Sequence, residues 1–181
     1  MMKTFSLPFG KGTQTVSLDE AHVLYDLHGN PVDAVADEQE AIRQALRHPI
    51  GSAPLKDVVQ AGDTVAIVVS DITRLVHTAQ MLPVIVDELN QAGVRDEQIT
   101  VVTAQGTHRA HTPEEDIIVC GEDMVKRVKV VSHDCRNASQ LTKIGTTTHG
   151  NDVYLDSHVV QADKVILTGA VSFHPMAGFG G

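Results

Sequence analysis

The chain has 181 residues, of which 42% are hydrophobic and only 3% aromatic, with no Trp. This mixture is typical of α/β proteins whose parallel strands are buried, and the length fits one domain with a sizeable core. The formal net charge of −9 argues against a general nucleic-acid or anionic-membrane surface, because both need an excess of Lys and Arg.

The cysteines and the N-terminal residues bear on the compartment. Cys120 and Cys135 form no CxxC pair and are too few for a disulfide framework, as expected of reduced thiols. Residues 1–12 lack the apolar core of a signal peptide, and no apolar run approaches the roughly 20 residues that span a bilayer. We therefore expect a cytoplasmic protein without a membrane partner.

Residues 1–32 are predicted to be a short antiparallel β lead-in. Its strand segments are Phe5–Leu7, Thr13–Ser17 and Val23–Leu27, separated by residues typical of turns. A helix is predicted over Asp37–Arg47, because apolar residues repeat there at helical spacing. The one candidate boundary within the chain lies near residue 33.

The middle of the chain alternates between apolar runs and a helical pattern. Thr64–Val69 and Ile99–Ala104 are nearly continuous apolar runs that suit strands covered on both faces. Between them a helix is predicted over about Ala79–Gln91, ending at Gly93 as the residue after the C-cap. Pro83 is expected within the first turn of that helix.

The last third begins with a helix start signal. Thr112, with Pro at the first helical position and Glu115 at the third, opens a helix that Gly121 closes. Further strands are predicted at Val128–Val131 and Val165–Leu167, with weaker β segments at Ile144–Thr147 and Val153–Leu155. The order of strands and helices predicts a doubly wound, mainly parallel, Rossmann-like sheet with helices on both faces.

Three strand-to-loop junctions carry small and ionisable residues. They are Ser70–Arg74, Gln105–Arg109 and Gly169–Gly181. Ligands of such sheets bind beyond the carboxyl ends of the strands, so we expect the three junctions to lie at one edge.

His108 and His174 are the leading candidates for proton transfer. Each follows a predicted strand, and neutral imidazole is the side chain best suited to accept and return a proton near pH 7. Taken singly, each is better explained as a loop histidine bonded to backbone, and it is the presence of two at corresponding strand ends that favours a functional role. His77 and His111 are near enough in sequence to reach the same cleft. The remaining histidines show no HxH, HxxxH or HExxH spacing, so no metal site is predicted.

Two arginines and one aspartate are candidates for binding. Arg74 and Arg109 could each clamp a carboxylate or phosphate, or pair with an acidic side chain of the surface. Arg74 is the better candidate, because it is three residues from Asp71 on a loop with little to bury. Asp71 could orient an imidazole, bind a ribose hydroxyl or cap the turn. The glycine cluster at 178–181 could cradle a phosphate or be a flexible terminus.

Three segments together resemble the signatures of the nickel-dependent lactate racemase (LarA-like) family. They are Ser70–Arg74, Gly106–Arg109 and His174–Gly181, in the same order and spacing as in the family. The resemblance covers essentially the whole chain and corresponds to the N-terminal α/β domain. It implies a second, C-terminal domain, an active site between the two domains, and racemisation or epimerisation of 2-hydroxyacids.

The resemblance also implies a role for each candidate. His108 and His174 would be the two acid/base residues, one for each enantiomer, and would take the 2-hydroxyl proton while the cofactor accepts the Cα hydride. Arg74 would hold the substrate carboxylate, and Asp71 would lie beside it in the pocket shared by cofactor and substrate. Inversion of a carbinol centre through a planar ketone needs a proton acceptor on each face, which agrees with two histidines from different strands.

The implied cofactor is a nickel-pincer nucleotide, a pyridinium mononucleotide tethered to a lysine. Gly178, Gly180 and Gly181 would contact it. The family's tethering lysine and nickel-ligating histidine come after the residue matched by Gly181, so this chain alone is expected to lack the covalent cofactor and to be inactive. Leu75 replaces a proline that is frequent in the family, and the neighbours of His174 differ from those in lactate racemase itself.

The expected partners are a small 2-hydroxycarboxylate substrate and a C-terminal domain, without nucleic acid. A different class of function remains open, namely a non-catalytic α/β nucleotide- or anion-binding module in which the histidines are structural. A nicotinamide-dependent oxidoreductase fragment is less favoured, because no GxGxxG follows the first buried strand.

Overall fold

The computed structural model describes residues 1–180, and the chain divides into two compact units. The first unit is Met1–Ala34, and the second begins at Val35. In the first unit, β1 (Met2–Phe9) pairs with β2 (Gly12–Asp19) along its whole length to form an antiparallel hairpin. The antiparallel lead-in predicted from the sequence is therefore present.

The prediction of a third strand in the lead-in, at Val23–Leu27, is wrong. These residues have no regular secondary structure. The Asp19 side chain accepts a hydrogen bond from the N–H of Ala21 and caps a short 3₁₀ turn, Glu20–His22, directly after β2. Strand propensity is realised only where a neighbouring strand supplies backbone partners, and this segment pairs with none.

The second unit contains most of the regular structure. Two short 3₁₀ turns, Asp96–Gln98 and Ala138–Gln140, also occur in it. Its helices and strands are, in chain order, α1 (Glu38–Arg47), α2 (Leu55–Val58), β3 (Val65–Ser70), α3 (Thr78–Gln91), β4 (Ile99–Ala104), α4 (Pro113–Cys120), α5 (Glu122–Arg127), β5 (Lys129–Ser132), β6 (Leu141–Thr146), β7 (Asp152–Asp156), α6 (Ser157–Gln161), β8 (Lys164–Leu167), β9 (Ser172–His174) and β10 (Gly178–Gly180).

Four strands form a parallel sheet in the order β5-β4-β3-β8. The chain builds outward from β3 through β4 to β5 and then returns to place β8 on the other side of β3. The exits of β3 and β8 therefore adjoin at the carboxyl edge, where a reversal of strand order opens a crevice. The mixed α/β class and the parallel sheet are confirmed; the doubly wound, Rossmann-like arrangement with helices on both faces stays a prediction.

The core lies between the central strands and α3. Ile67, Ile99 and Val101 on the strands and Leu82 and Leu89 on the helix have no exposed surface. Burial of each such side chain contributes about 1.5–3 kcal/mol. The continuous apolar runs of β3 and β4 and the helical spacing of the apolar residues in α3 are what the sequence predicts, and both are confirmed.

Local signals placed two helix starts correctly. Asp37 caps α1 by accepting from the N–H of Glu40, at 2.9 Å. Thr112 and Glu115 form a reciprocal capping box at the start of α4, as predicted. Helices α2 and α5 were not predicted, because four and six residues are too few to show a helical period.

Pro83 lies in the second turn of α3 rather than in the first, which corrects the prediction. The helix begins at Thr78, one residue earlier than expected, so Pro83 is its sixth residue. A proline there removes one backbone hydrogen bond of the helix. The weak β segments near 144–147 and 153–155 are present as β6 and β7, which pair antiparallel. Within residues 1–180, no helix is long and apolar enough to cross a membrane.

Gly93 ends α3 at a point of close backbone approach. Its φ is +94°, and a Cβ built there would lie 2.9 Å from the Cβ of Ala61. Gly62 also has a positive φ, +103°, but a Cβ there would meet nothing within 4 Å. Substitutions at the two glycines therefore distinguish the cost of a left-handed backbone from the cost of steric overlap between an added Cβ and Ala61.

Replacing Gly93 with Ala is expected to lower the free energy of unfolding more than replacing Gly62 with Ala. Both variants carry the cost of a left-handed alanine, roughly 1–2 kcal/mol. Only the Gly93 variant adds overlap with Ala61, about 1–3 kcal/mol more. Urea denaturation measures both. Equal losses would show that the contact with Ala61 relaxes freely.

Candidate functional site

The first part of the site is the turn that follows β3. The Arg74 N–H donates to the Asp71 carbonyl oxygen at 2.9 Å, which closes the turn. One carboxylate oxygen of Asp71 accepts from the Thr73 N–H at 3.1 Å and from the Thr73 hydroxyl at 2.6 Å. Asp71 thus caps its own turn, one of the uses predicted for it.

The second carboxylate oxygen of Asp71 holds His108. Nδ1 of His108 lies 2.6 Å from Oδ2 of Asp71, and the Asp71 side chain is only 5% exposed whereas that of His108 is 52% exposed. His108 reaches this position through a turn after β4, closed by its N–H on the Gln105 carbonyl at 3.0 Å. Gly106 supplies the positive φ, +59°, that the turn needs.

The charge state of Asp71 fixes the tautomer of His108. Burial acts to raise the pKa of Asp71, but the hydrogen bonds from His108 and Thr73 outweigh it and hold that pKa below its ordinary value. An ionised carboxylate only accepts, so Nδ1 of His108 must carry the proton. Nε2 of the neutral ring is then unprotonated and available as a base.

His174 has the opposite arrangement. It lies on β9, in a hairpin with β10 in which the rings of Phe173 and Phe179 contact each other at a tilt of 34°, with centroids 5.3 Å apart. Its Nδ1 accepts from the backbone N–H groups of Met176 and Ala177, at 3.2 and 3.1 Å. Nδ1 is therefore unprotonated, and in the neutral ring the proton is on Nε2.

A cleft of about 710 Å³ opens between the exits of β3 and β8. It brings Arg74 and His174 together, whereas His108 and Asp71 adjoin it through the β3 exit turn and do not line it. Gly180 lines it but Gly178 does not, and Gly181 is outside the described residues. The lining residues are Ser70, Thr73, Arg74, Leu75, Val76, Thr168, Gly169, Ala170, Ser172, His174 and Gly180.

The two candidate arginines differ in their partners. Arg109 makes two hydrogen bonds of 2.7 Å to the Glu115 carboxylate, and this pairing together with the Thr112 N–H lowers the pKa of Glu115 to about 2. Arg109 therefore supports the capped start of α4. The Arg74 guanidinium bonds only to Thr73 in the described part of the chain and has no carboxylate partner there. Arg74 is thus the arginine able to bind an external anion.

Neither of the two neighbouring histidines lines the cleft. His77 lies 3.2 Å from the Glu38 carboxylate at the exposed start of α3. His111 is buried beneath the loops and uses both ring nitrogens. Their positions in the sequence indicated that both could reach the site. They did not indicate that the His111 side chain would be buried, or that Gln105 and Ser132 would form a hydrogen bond.

Neither a reactive thiol nor a metal-ligating cluster is found among the described residues of the site. The Cys120 thiol is buried, and this burial raises its pKa to about 12, so it is not a nucleophile near neutral pH. Among residues 1–180, no three His, Cys, Asp or Glu side chains are grouped so that they could hold a metal ion.

Comparison with known proteins identifies the family. The model of the lactate racemase N-terminal domain matches residues 9–181. The chain belongs to this family. Lactate racemases of Thermoanaerobacterium thermosaccharolyticum and Lactiplantibacillus plantarum are 29% and 31% identical to it over 99% of the chain. The chain spans 42% and 43% of the length of these two relatives.

Solved structures agree with the lactate racemase fold. The lactate racemase apoprotein of Thermoanaerobacterium thermosaccharolyticum superposes on 99% of this chain with a TM-score of 0.83 and 28% identity, over 42% of that protein. A crystal structure of a Thermotoga maritima protein superposes on 85% of this chain and 37% of its own, with a TM-score of 0.62 and 21% identity. The second likeness concerns the fold alone.

Replacing Asp71 with Asn is expected to destabilise the fold at neutral pH and to reduce its sensitivity to acid. Because the folded-state pKa of Asp71 is lowered, its carboxylate stabilises the fold above the unfolded-state pKa of about 3.9. That contribution, about 1.5–3 kcal/mol for a hydrogen bond to a charged group, is lost as pH falls through the folded-state pKa. The gap between wild type and variant should therefore shrink in acid.

Urea unfolding at pH values from about 7 down to about 2.5 measures this gap. Asp57→Asn, which removes an exposed carboxylate from α2, is the control. A gap that stayed constant as pH fell would show that the charge of Asp71 does not stabilise the site.

Proposed function

We propose that this chain is the N-terminal domain of a 2-hydroxyacid racemase or epimerase in which His108 and His174 exchange protons with the 2-hydroxyl group. One observation carries the proposal. The buried Asp71 holds His108 with Nε2 unprotonated. The turn that contains Asp71 also places Arg74 in a cleft with His174. Membership of the lactate racemase family supports the same chemistry.

His108 is proposed to act as a base at Nε2. As the substrate carbonyl forms, the 2-hydroxyl proton moves to this nitrogen and the ring becomes an imidazolium. The Asp71 carboxylate, 2.6 Å from Nδ1, stabilises that positive charge and keeps the ring in place. When the alcohol re-forms as the same enantiomer, this proton returns to oxygen. When it re-forms as the other enantiomer, the proton comes from protonated His174, and His108 then releases its proton to solvent.

His174 is proposed to serve the other face of the carbinol centre. With its proton on Nε2, it donates a hydrogen bond to a substrate oxygen. To accept a proton there, the ring must first carry its own proton on Nδ1, which breaks the bonds from Met176 and Ala177. The hairpin is therefore proposed to move during the half of the reaction in which His174 is the base.

Arg74 is proposed to bind the substrate carboxylate. Its guanidinium lines the cleft, and in the described residues only Thr73 occupies it. A planar guanidinium matches a carboxylate by two parallel hydrogen bonds, which also orients the carbinol carbon beside it. In a chain with 23 acidic and 14 basic side chains, an arginine without an acidic partner at a cleft favours an anionic ligand.

The cleft is of suitable size for the nickel-pincer nucleotide implied by the family. Its volume of about 710 Å³ is within the usual range of ligand sites. Gly169 and Gly180 present backbone to it, so a flat ring can approach closely. We propose that Gly178 and Gly180 lie against the nucleotide; the expectation for Gly181 falls outside the described residues. When bound, it supplies the acceptor for the hydride of the carbinol carbon.

Replacing either His108 or His174 with Ala, in the enzyme that carries this domain, is expected to suppress racemisation in both directions. General acid–base groups contribute about 10²- to 10⁴-fold, and a racemase uses both faces in every turnover. Steady-state racemisation measures this loss. Single-turnover ketoacid formation is measured from each pure enantiomer. Each variant should fail with one enantiomer only, and the two variants should fail with opposite enantiomers.

His149→Ala, an exposed histidine between β6 and β7, is the matched control and should keep wild-type rates. If both site variants also keep near wild-type rates, the two-base assignment is wrong. The non-catalytic nucleotide- or anion-binding module would then replace it.

A further inference from the structure

His111 joins the turn after β3 to the segment after β4. The Ile72 N–H donates to Nε2 of His111 at 3.0 Å, and Nδ1 of His111 donates to the Asp116 carboxylate at 3.0 Å. The imidazole is only 1% exposed. Both ring nitrogens are therefore occupied by protein groups, and His111 cannot exchange a proton with a substrate.

The turn that His111 holds carries two site residues. Ile72 lies between Asp71, which orients His108, and Thr73, which contacts Arg74. The other hydrogen bonds of Asp71 and Thr73 are local to the turn. In the described part of the chain, the Ile72 bond to His111 and the Asp71 bond to His108 are the side-chain hydrogen bonds between this turn and the rest of the second unit, and the Ile72 side chain also packs against the core.

His111 is linked by hydrogen bonds to the ends of β4 and β5. Its backbone N–H donates to the Ser132 hydroxyl at 3.3 Å, and the same hydroxyl accepts from the Gln105 side chain at 3.0 Å. Gln105 is 2% exposed and also donates to the Thr103 hydroxyl at 2.7 Å. Through these bonds the ends of β4 and β5 and the start of α4 fix the imidazole.

We propose that His111 is a positioning residue that fixes the backbone of Ile72 and thereby sets the positions of Asp71 and Arg74. This proposal rests on the proposed racemase function, because the groups it positions are the orienting partner of His108 and the carboxylate-binding arginine. Its action requires Nε2 to be a hydrogen-bond acceptor. The side chain is a part of the site that never touches the substrate.

Two substitutions separate the two hydrogen bonds of His111. In His111→Gln, the amide oxygen lies about where Nε2 was and can still accept from Ile72. In His111→Asn, the amide nitrogen replaces Nδ1 and can still donate to Asp116, but the acceptor for Ile72 is lost. Both variants lose buried packing, so a comparable fall in thermal stability is expected for both.

The racemisation kinetics of the holoenzyme should distinguish the two variants. His111→Asn is expected to lower kcat/KM on the order of 10²-fold, because small misplacements of reacting groups cost this much. It should raise KM as well as lower kcat, since Arg74 also shifts. His111→Gln should recover at least about tenfold of this loss, because positioning is restored without the ring. His158→Asn removes another histidine bonded to a buried aspartate, Asp156, and should leave the kinetics unchanged.

A nuclear magnetic resonance readout makes the test independent of activity. The Ile72 amide proton and the His108 ring signals should shift in His111→Asn and stay near wild type in His111→Gln. Equal kinetic losses in both variants, or an unshifted Ile72 amide in His111→Asn, would overturn the proposal. An inactive wild-type holoenzyme would refute the racemase function alone, and the Ile72 and His108 signals would still decide the role of His111.

Discussion

The hydrogen bond between Asp71 and His108 is the contact on which the candidate site depends. It exists because β3 and β4 pair in parallel with Ser70 opposite Ala104, so that the two following turns begin side by side. The buried carboxylate would be costly if left alone, since burial disfavours its charged form. Bonds from His108 and Thr73 reverse that penalty and leave an ionised group that both caps its own turn and holds the His108 imidazole.

The two histidines are held by different kinds of partner, and this difference has chemical consequences. A carboxylate takes the Nδ1 proton of His108, whereas backbone N–H groups donate to Nδ1 of His174. Their exposed Nε2 atoms therefore differ: one accepts and the other donates. Arg74 adds a positive charge near His174, at the crevice where the exits of β3 and β8 adjoin. These groups are the basis of the proposal of a 2-hydroxycarboxylate substrate.

The sequence predicted the parts of the fold that short-range patterns control. Residues close together in the sequence determine the apolar runs of β3 and β4 and the Thr112 capping box. Each of these was placed correctly. Val23–Leu27 was misassigned because strand pairing depends on a neighbour that the local pattern does not reveal. Short helices such as α5, with six residues, are missed because the apolar pattern does not repeat within them.

The site was only partly predictable for a related reason. The family resemblance and the positions after strands singled out His108, His174, Arg74 and Asp71. The internal position of His111 and the tautomer of each histidine depend on which atoms meet across the loops, at distances near 3 Å that no spacing in the sequence encodes. The sequence therefore predicts which side chains are candidates for the site. The protonation state of each histidine and the hydrogen bonds that hold it are seen only in the structure.

The central claim is that Asp71 and the hairpin hold His108 and His174 in opposite tautomers. Long-range ¹H–¹⁵N correlation spectra of ¹⁵N-histidine-labelled protein near neutral pH test it most directly, because each tautomer has a distinct pattern of ring signals. We predict an Nδ1–H pattern for His108 that is lost in Asp71→Asn, and an Nε2–H pattern for His174. The same tautomer for both rings, or a His108 pattern unchanged by Asp71→Asn, would contradict the account.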